Sequence, residues 1–258
     1  MKRVINKQYL ICVLLVLFVH CDAQQKQVSY ANQYWSNYQP QFRFSKHWGI
    51  WVDMEIHSKD NEISQVSQNI YRLTATYYIT DRFKLSAGYG YTNYYPGDNH
   101  KYISEPEHHG LQQLQLYTYF RKKKLMQWIR LEEKFKRNVI NDSTLANDYT
   151  FNYRVRYNCY YTLPLNKKGI IPHSLSLVLA DEIYFNFGES IVNNHFDQNR
   201  VFGGLSYAVN EHDNLVLGYM NAYQKQASGY QYKSYNIVRL SFYETIDLRK
   251  KKRSPNES

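Results

Sequence analysis

Residues 149–163 read YTFNYRVRYNCYYTL. Tyr149, Phe151, Tyr153, Val155, Tyr157, Cys159, Tyr161 and Leu163 hold the odd positions, and Thr150, Asn152, Arg154, Arg156, Asn158, Tyr160 and Thr162 the even ones. A period of two sorts side chains onto opposite faces of a β-strand. This run is more than twice the roughly 5–6 residues of an ordinary soluble strand. The pattern recurs. In WGIWVDMEIH, Trp48, Ile50, Val52, Met54 and Ile56 oppose Trp51, Asp53, Glu55 and His57. In IYRLTATYYI, Tyr71, Leu73, Ala75, Tyr77 and Ile79 oppose Arg72, Thr74 and Thr76. LSLVLADEIYFNF sets Leu175, Leu177, Leu179, Ile183, Phe185 and Phe187 against Ser174, Ser176, Glu182 and Asn186, with Asp181 breaking the apolar row. NIVRLSF sets Val238, Leu240 and Phe242 against Arg239 and Ser241.

Such segments follow one another from about residue 28 to 244 with no domain boundary. Short connections at 45–47, 81–82, 121–124, 165–169 and 210–213 alternate with longer ones near 59–66, 96–107, 138–147, 189–197 and 227–231. Short turns at one end and long loops at the other are the asymmetry of a membrane β-barrel. After residue 47 the pattern gives ten strands. A single strand over 28–44 makes eleven; Pro40 dividing that stretch at NYQP makes twelve, the favoured number within a range of ten to twelve.

Composition agrees. The chain has 27 tyrosines and is 17% aromatic, yet its mean hydropathy is −0.64. Low hydropathy with long alternating strands fits a barrel, since only every second residue meets lipid, and aromatic rings gather at membrane interfaces. Lys2, Arg3 and Lys7 precede the apolar run YLICVLLVLFV at 9–19. That run is shorter than the roughly 20 residues that span a bilayer and reads as a secretory signal cleaved after Ala23. Lipidation at Cys21 is the rival, disfavoured because His20 before it is not small. The expected organisation is a signal peptide over 1–23, an outer-membrane barrel over 24–248 and a basic tail over 249–258.

Cleavage removes Cys12 and Cys21 and leaves Cys159, so no disulfide framework forms within one chain. It also removes three basic residues and Asp22, taking the formal charge from +10 to +8. Much of that charge lies in turns and in the Arg249–Arg253 run, and no nucleic-acid motif accompanies it.

The polar faces gather Asp53, Glu55, Arg72, Arg130, Glu132, Lys134, Arg154, Arg156, Glu182, Arg200, Lys233 and Arg239, four acids against eight bases. Of these, Arg130, Glu132, Arg154, Arg156, Glu182 and Arg200 are expected to form one lumenal network. Either the charges pair and fill a narrow barrel, or their positive excess lines a conduit for small anionic solutes. An outer-membrane enzyme acting on lipid or glycan is the third reading. It lacks a serine–histidine pair: His173 and Ser174 fall on opposite faces, and His108, His109 and His195 lie near or in loops. No metal-ligand spacing occurs, and the glycines of GYGY (88–91) and FGG (202–204) precede no helix that could cradle phosphate. No cofactor is expected.

The segments YWSNYQPQFRFSKHWGIWVDMEI, EHHGLQQLQLYTYF, WIRLEEKF, YRVRYNCYYTLPL, LADEIYFNFG, HFDQNRVFGGLSY and LVLGYM, in that order, resemble the bacterial family called domain of unknown function 2490, and together they cover most of the mature chain. The resemblance implies an outer-membrane β-barrel of a Gram-negative, Bacteroidetes-like cell and no established reaction. The corresponding residues are Arg130 and Glu132, Arg154 and Arg156, Glu182, and Asn199 with Arg200. The family pattern has an arginine in the fifth-strand segment, where this chain has His109 or Gly110.

Overall fold

The alternation folds into eleven strands in the computed structural model, which describes residues 27–97 and 102–249. They are β1 (Gln27–Arg43), β2 (Trp48–Lys59), β3 (Glu62–Tyr78), β4 (Phe83–Tyr94), β5 (Glu105–Phe120), β6 (Lys123–Asn141), β7 (Thr144–Pro164), β8 (Ser174–Phe187), β9 (Phe196–Ala208), β10 (Asp213–Lys225) and β11 (Gln231–Asp247). Each strand pairs antiparallel with the next, and β1 pairs with β11 to close a barrel. Closure leaves no edge strand with unpaired backbone groups. The expected signal segment with its cleavage site, and the tail beyond Arg249, lie outside the described residues.

Eleven strands form, within the expected ten to twelve and one short of the favoured twelve. Pro40 does not divide the first segment. The ladder from β1 to β2 lapses between Tyr38↔Met54 and Gln41↔Trp51, so the proline sits where no ladder hydrogen bond is required. An odd count makes the first and last strands run the same way. The seam is accordingly parallel, from Gln27↔Gln231 to Arg43↔Asp247, and not antiparallel as in the rest of the wall.

The alternation of short and long connections is also weaker than expected. The stretches 59–66 and 138–147 are taken up by strand, leaving two-residue hairpins at 60–61 and 142–143. Asn61 there adopts a positive φ of 60°, which asparagine tolerates in tight turns. Conversely, the expected short turn at 165–169 belongs to a nine-residue connection, 165–173, built on Asn166, whose Oδ1 accepts from the amides of Lys168 and Gly169. At this same end Arg43 donates to Asp81 (2.7 Å), and that bond holds the exposed Asp81 carboxyl below the usual aspartate range.

Parity separates the two faces of the wall. Leu73, Leu114, Leu179, Val201, Leu217 and Leu240 stand on the outside, each more than a third exposed. The inner face is divided. Along β1 and β8–β11 it carries an apolar cluster of Trp35, Val178, Phe202, Val216, Met220 and Ile237, interrupted by charges such as Arg200 and Arg239. Gly204 and Gly218 face each other across β9 and β10 beneath the Phe202 ring, and a Cβ on either would come within 2.8 Å of it. Along β2–β8 the inner face is charged.

Candidate functional site: a charged and aromatic belt across the lumen

The charged side chains lie near the middle of their strands and point inward. Arg72 on β3 reaches two acids of β2, with Nη1 2.5 Å from Asp53 Oδ2 and 2.7 Å from Glu55 Oε1. Glu55 Oε2 in turn lies 3.1 Å from His57 Nε2. On the far side Arg156 of β7 binds acids of both neighbouring strands. Its Nη1 is 2.6 Å from Glu132 Oε1 on β6, and its Nη2 is 2.5 Å from Glu182 Oε1 on β8. Arg130 and Arg154 approach Glu132 at 3.6 and 3.7 Å. Glu132 is wholly buried, so three guanidiniums surround one carboxylate out of reach of water. Burial on that scale is tolerable only when the charge is paired.

A third cluster joins from β5. Glu107 is 2.7 Å from His109 Nε2 and 3.0 Å from Lys134 Nζ, and Arg154 Nε is 3.1 Å from Asp197 of β9. Toward the far rim Lys233 pairs with Asp60 of the β2–β3 turn.

Aromatic rings fill the space between the guanidiniums. Arg130 lies 5.3 Å from the Trp51 ring and 4.8 Å from Trp128. Arg156 lies 5.3 Å from Trp128 and 4.5 Å from Tyr184, and Arg200 lies 4.8 Å from Tyr184 and 4.7 Å from Trp35. His57 then stacks on Trp35, with ring centroids 3.5 Å apart and planes within 3°. Trp51 and His57 both belong to β2, so the ladder leaves that strand, crosses the lumen and returns to it. Each cation–aromatic contact is worth about 0.5–2 kcal/mol, more when dry.

Of the six residues expected in one network, Arg130, Glu132, Arg154, Arg156 and Glu182 are joined by ion pairs. Arg200 is not. Its Nε donates to Gln198 Oε1 (2.9 Å); it lies opposite Glu182 in the β8–β9 ladder and over the Tyr184 ring, without an ion pair to Glu182 among the described residues. Glu107 and Asp197 were missed. Glu107 falls in a stretch expected to be loop, whereas β5 begins at Glu105. Asp197 shares parity with outward residues, but a bulge between Tyr184↔Gln198 and Phe185↔Phe196 leaves it as the extra residue, turned inward. With Glu107, Asp197 and Asp60 counted, seven acids face the eight bases of the sequence-derived set. Lys84 and Lys124 also face inward, so the positive excess falls only from four to three.

The histidines are also placed differently. His108 and His109 lie within β5, His108 outward with its Nδ1 2.5 Å from Tyr89 Oη and His109 buried against Glu107. His173 Nδ1 is 3.2 Å from Tyr207 Oη, while Ser174 Oγ donates to the Ile171 carbonyl (2.5 Å), so the two form no couple. Among the described residues no group of three His, Cys, Asp or Glu is arranged to hold a metal ion.

The family model described as protein of unknown function (DUF2490) matches residues 32–233, from β1 into β11. The chain belongs to this family. The matched span holds every residue of the belt, so in this DUF2490 member the buried charges are part of the family region and not of an appended segment. No curated protein and no solved structure matches the chain.

Proposed function

We propose that this DUF2490 protein is an outer-membrane β-barrel with a lumen closed at mid-height, non-enzymatic and without free ion flow. The apolar outer wall supports the membrane reading, because contiguous exposed aliphatic and aromatic surface of this extent marks contact with lipid or protein. The apolar run at 9–19 supports export. The observation that carries the closed state is the placement of Arg156, held by carboxylates on two neighbouring strands while its guanidinium lies between the Trp128 and Tyr184 rings. Dry ion pairs and stacked rings leave a permeating ion no water to travel in.

An anion-preferring pore is the second reading, favoured by Lys124 and Arg239, inward cations with no ion pair among the described residues. Planar-bilayer recording separates the two. The closed barrel gives no steady conductance, while a pore gives current whose reversal potential favours anions. Fractionation tests the location: the protein is expected in the outer membrane and heat-modifiable on unboiled gels, and recovery as a soluble periplasmic species overturns the reading.

A further inference from the structure

On the side of the belt nearer the 44–47 and 79–82 turns, the inner wall encloses a cavity of about 290 Å³. It runs from Arg72 and Arg156 of the belt to Glu244, Thr245 and the exposed Ile170 at the barrel rim. The carboxylates lining it are already engaged. Asp53 and Glu55 hold Arg72, Glu182 holds Arg156, and Glu244 accepts from the Tyr38 hydroxyl at 2.5 Å.

The cations lining it are not all engaged. Lys124 Nζ has the Tyr117 ring at 5.8 Å, and the Arg239 guanidinium has the Phe202 ring at 5.9 Å; neither makes an ion pair among the described residues. Behind the lining, Lys84 shares the Tyr117 ring at 5.0 Å and has Gln41 Oε1 at 3.3 Å. Glu55 and Glu182 act on Arg239 only through space, each being bonded to another arginine, and cations so weakly compensated give such a cavity a positive potential that low-dielectric walls do not screen.

The remaining lining is amide, hydroxyl and ring. Gln39, Gln113, Gln115 and Asn214 offer both donors and acceptors, and the faces of Trp51 and Trp128 offer flat apolar surface. Aromatic faces with a few convergent polar groups are the make-up of a small-molecule site, and the volume lies at the small end of the roughly 300–1,000 Å³ such sites occupy. A hydroxylated ring matches the amides and the indole faces, and a charged substituent on it matches Lys124 and Arg239.

We infer that this chamber binds an anionic monosaccharide, a sugar ring carrying a phosphate or carboxylate. This rests on the lumen being closed at the belt, which makes the chamber a dead end rather than a stretch of pore. The test is titration of the refolded barrel in detergent, followed by calorimetry and by the fluorescence of Trp51 and Trp128, with glucose 6-phosphate, glucuronate, glucose and inorganic phosphate. Both anionic sugars are expected to bind at least about tenfold more tightly than glucose or phosphate, the size of one charge-assisted contact. The Lys124→Gln/Arg239→Gln double variant is expected to lose that margin while staying heat-modifiable, and Lys46→Gln, outside the chamber, to keep it. Binding of glucose or phosphate as tight as that of the anionic sugars, an equal loss in Lys46→Gln, or no binding at all overturns the inference. An open conduit shows itself separately, as steady conductance with or without sugar, whereas a closed barrel that fails to bind shows neither signal.

Discussion

Arg156 presents two nitrogens to a single oxygen of Glu182, Nε at 2.8 Å and Nη2 at 2.5 Å from Oε1. The same guanidinium reaches Glu132 with Nη1 and the Tyr184 hydroxyl with Nη2. Truncating Glu182 to alanine therefore strands a buried guanidinium that one remaining carboxylate must neutralise alongside Arg130 and Arg154. Breaking a buried pair from one side costs about 3–5 kcal/mol. Glu182→Ala is expected to lower the temperature at which the folded band is lost on unboiled gels. Adding Arg156→Met is expected to recover part of the loss, since removing both partners avoids the orphaned charge. If the double variant proves as unstable as the sum of the singles, the two residues are not coupled.

The seam makes its own prediction. Gln27 lies opposite Gln231 in the parallel β1–β11 pairing, and Asp247 lies at the other end of the barrel. Neighbouring strands run about 4.8 Å apart, within the Cα range a disulfide bridges. In a Cys159→Ser background, Gln27→Cys with Gln231→Cys is expected to cross-link on oxidation, and Gln27→Cys with Asp247→Cys is not. The reverse result would mean an antiparallel closure with an even strand count.

How far the sequence led can be seen at these same residues. Parity along WIRLEEKF and YRVRYNCYY puts Arg130, Glu132, Arg154 and Arg156 on one face, and they share the inner wall, because the β6–β7 ladder runs without a shift from Lys124↔Thr162 to Arg137↔Tyr149 and keeps the period of two intact there. At Asp197 the period is broken by a bulge that pairing alone reveals. Pro40 carries a strong local signal for a break, but a gap in the ladder to β2 absorbs it. The apolar inner wall of β9 to β11 was least legible. Phe202 and Ile237 share the parity of Arg200 and Arg239, but nothing in the alternation says that they join Val216 and Met220 in an apolar cluster against Trp35; the pairing of β9, β10, β11 and β1 shows it.

The outer wall is tested at Val155, which pairs with Leu131 and Phe185 among outward residues. If that wall meets lipid, Val155→Arg places a charge near mid-height, at a cost of about 2–4 kcal/mol. Asn152→Arg, on the inward parity of the same strand, is expected to assemble far better. Comparable outer-membrane yields of folded protein for the two would contradict the assignment of the faces.

The last prediction concerns the ring that closes the belt on β1. Trp35 packs on His57 and under Arg200 and belongs to the apolar inner cluster. It takes part in no ion pair, so Trp35→Ala thins the belt while leaving Arg72, Arg130, Arg154 and Arg156 with their carboxylates. Losing a buried indole costs about 3–5 kcal/mol, so heat-modifiability must first show that the variant still folds. A void lined by Arg200 and His57 is polar enough to fill with water, and water at that level joins the chamber to the far rim. Single-channel recording of the folded variant is then expected to show conductance steps absent from the parent. Their reversal potential in a salt gradient should favour anions, because Arg200 loses the Trp35 ring while Glu132 and Glu182 stay bonded to Arg156. A folded Trp35→Ala barrel that remains silent means the lumen is sealed elsewhere, and cation-selective steps mean the paired acids govern the path.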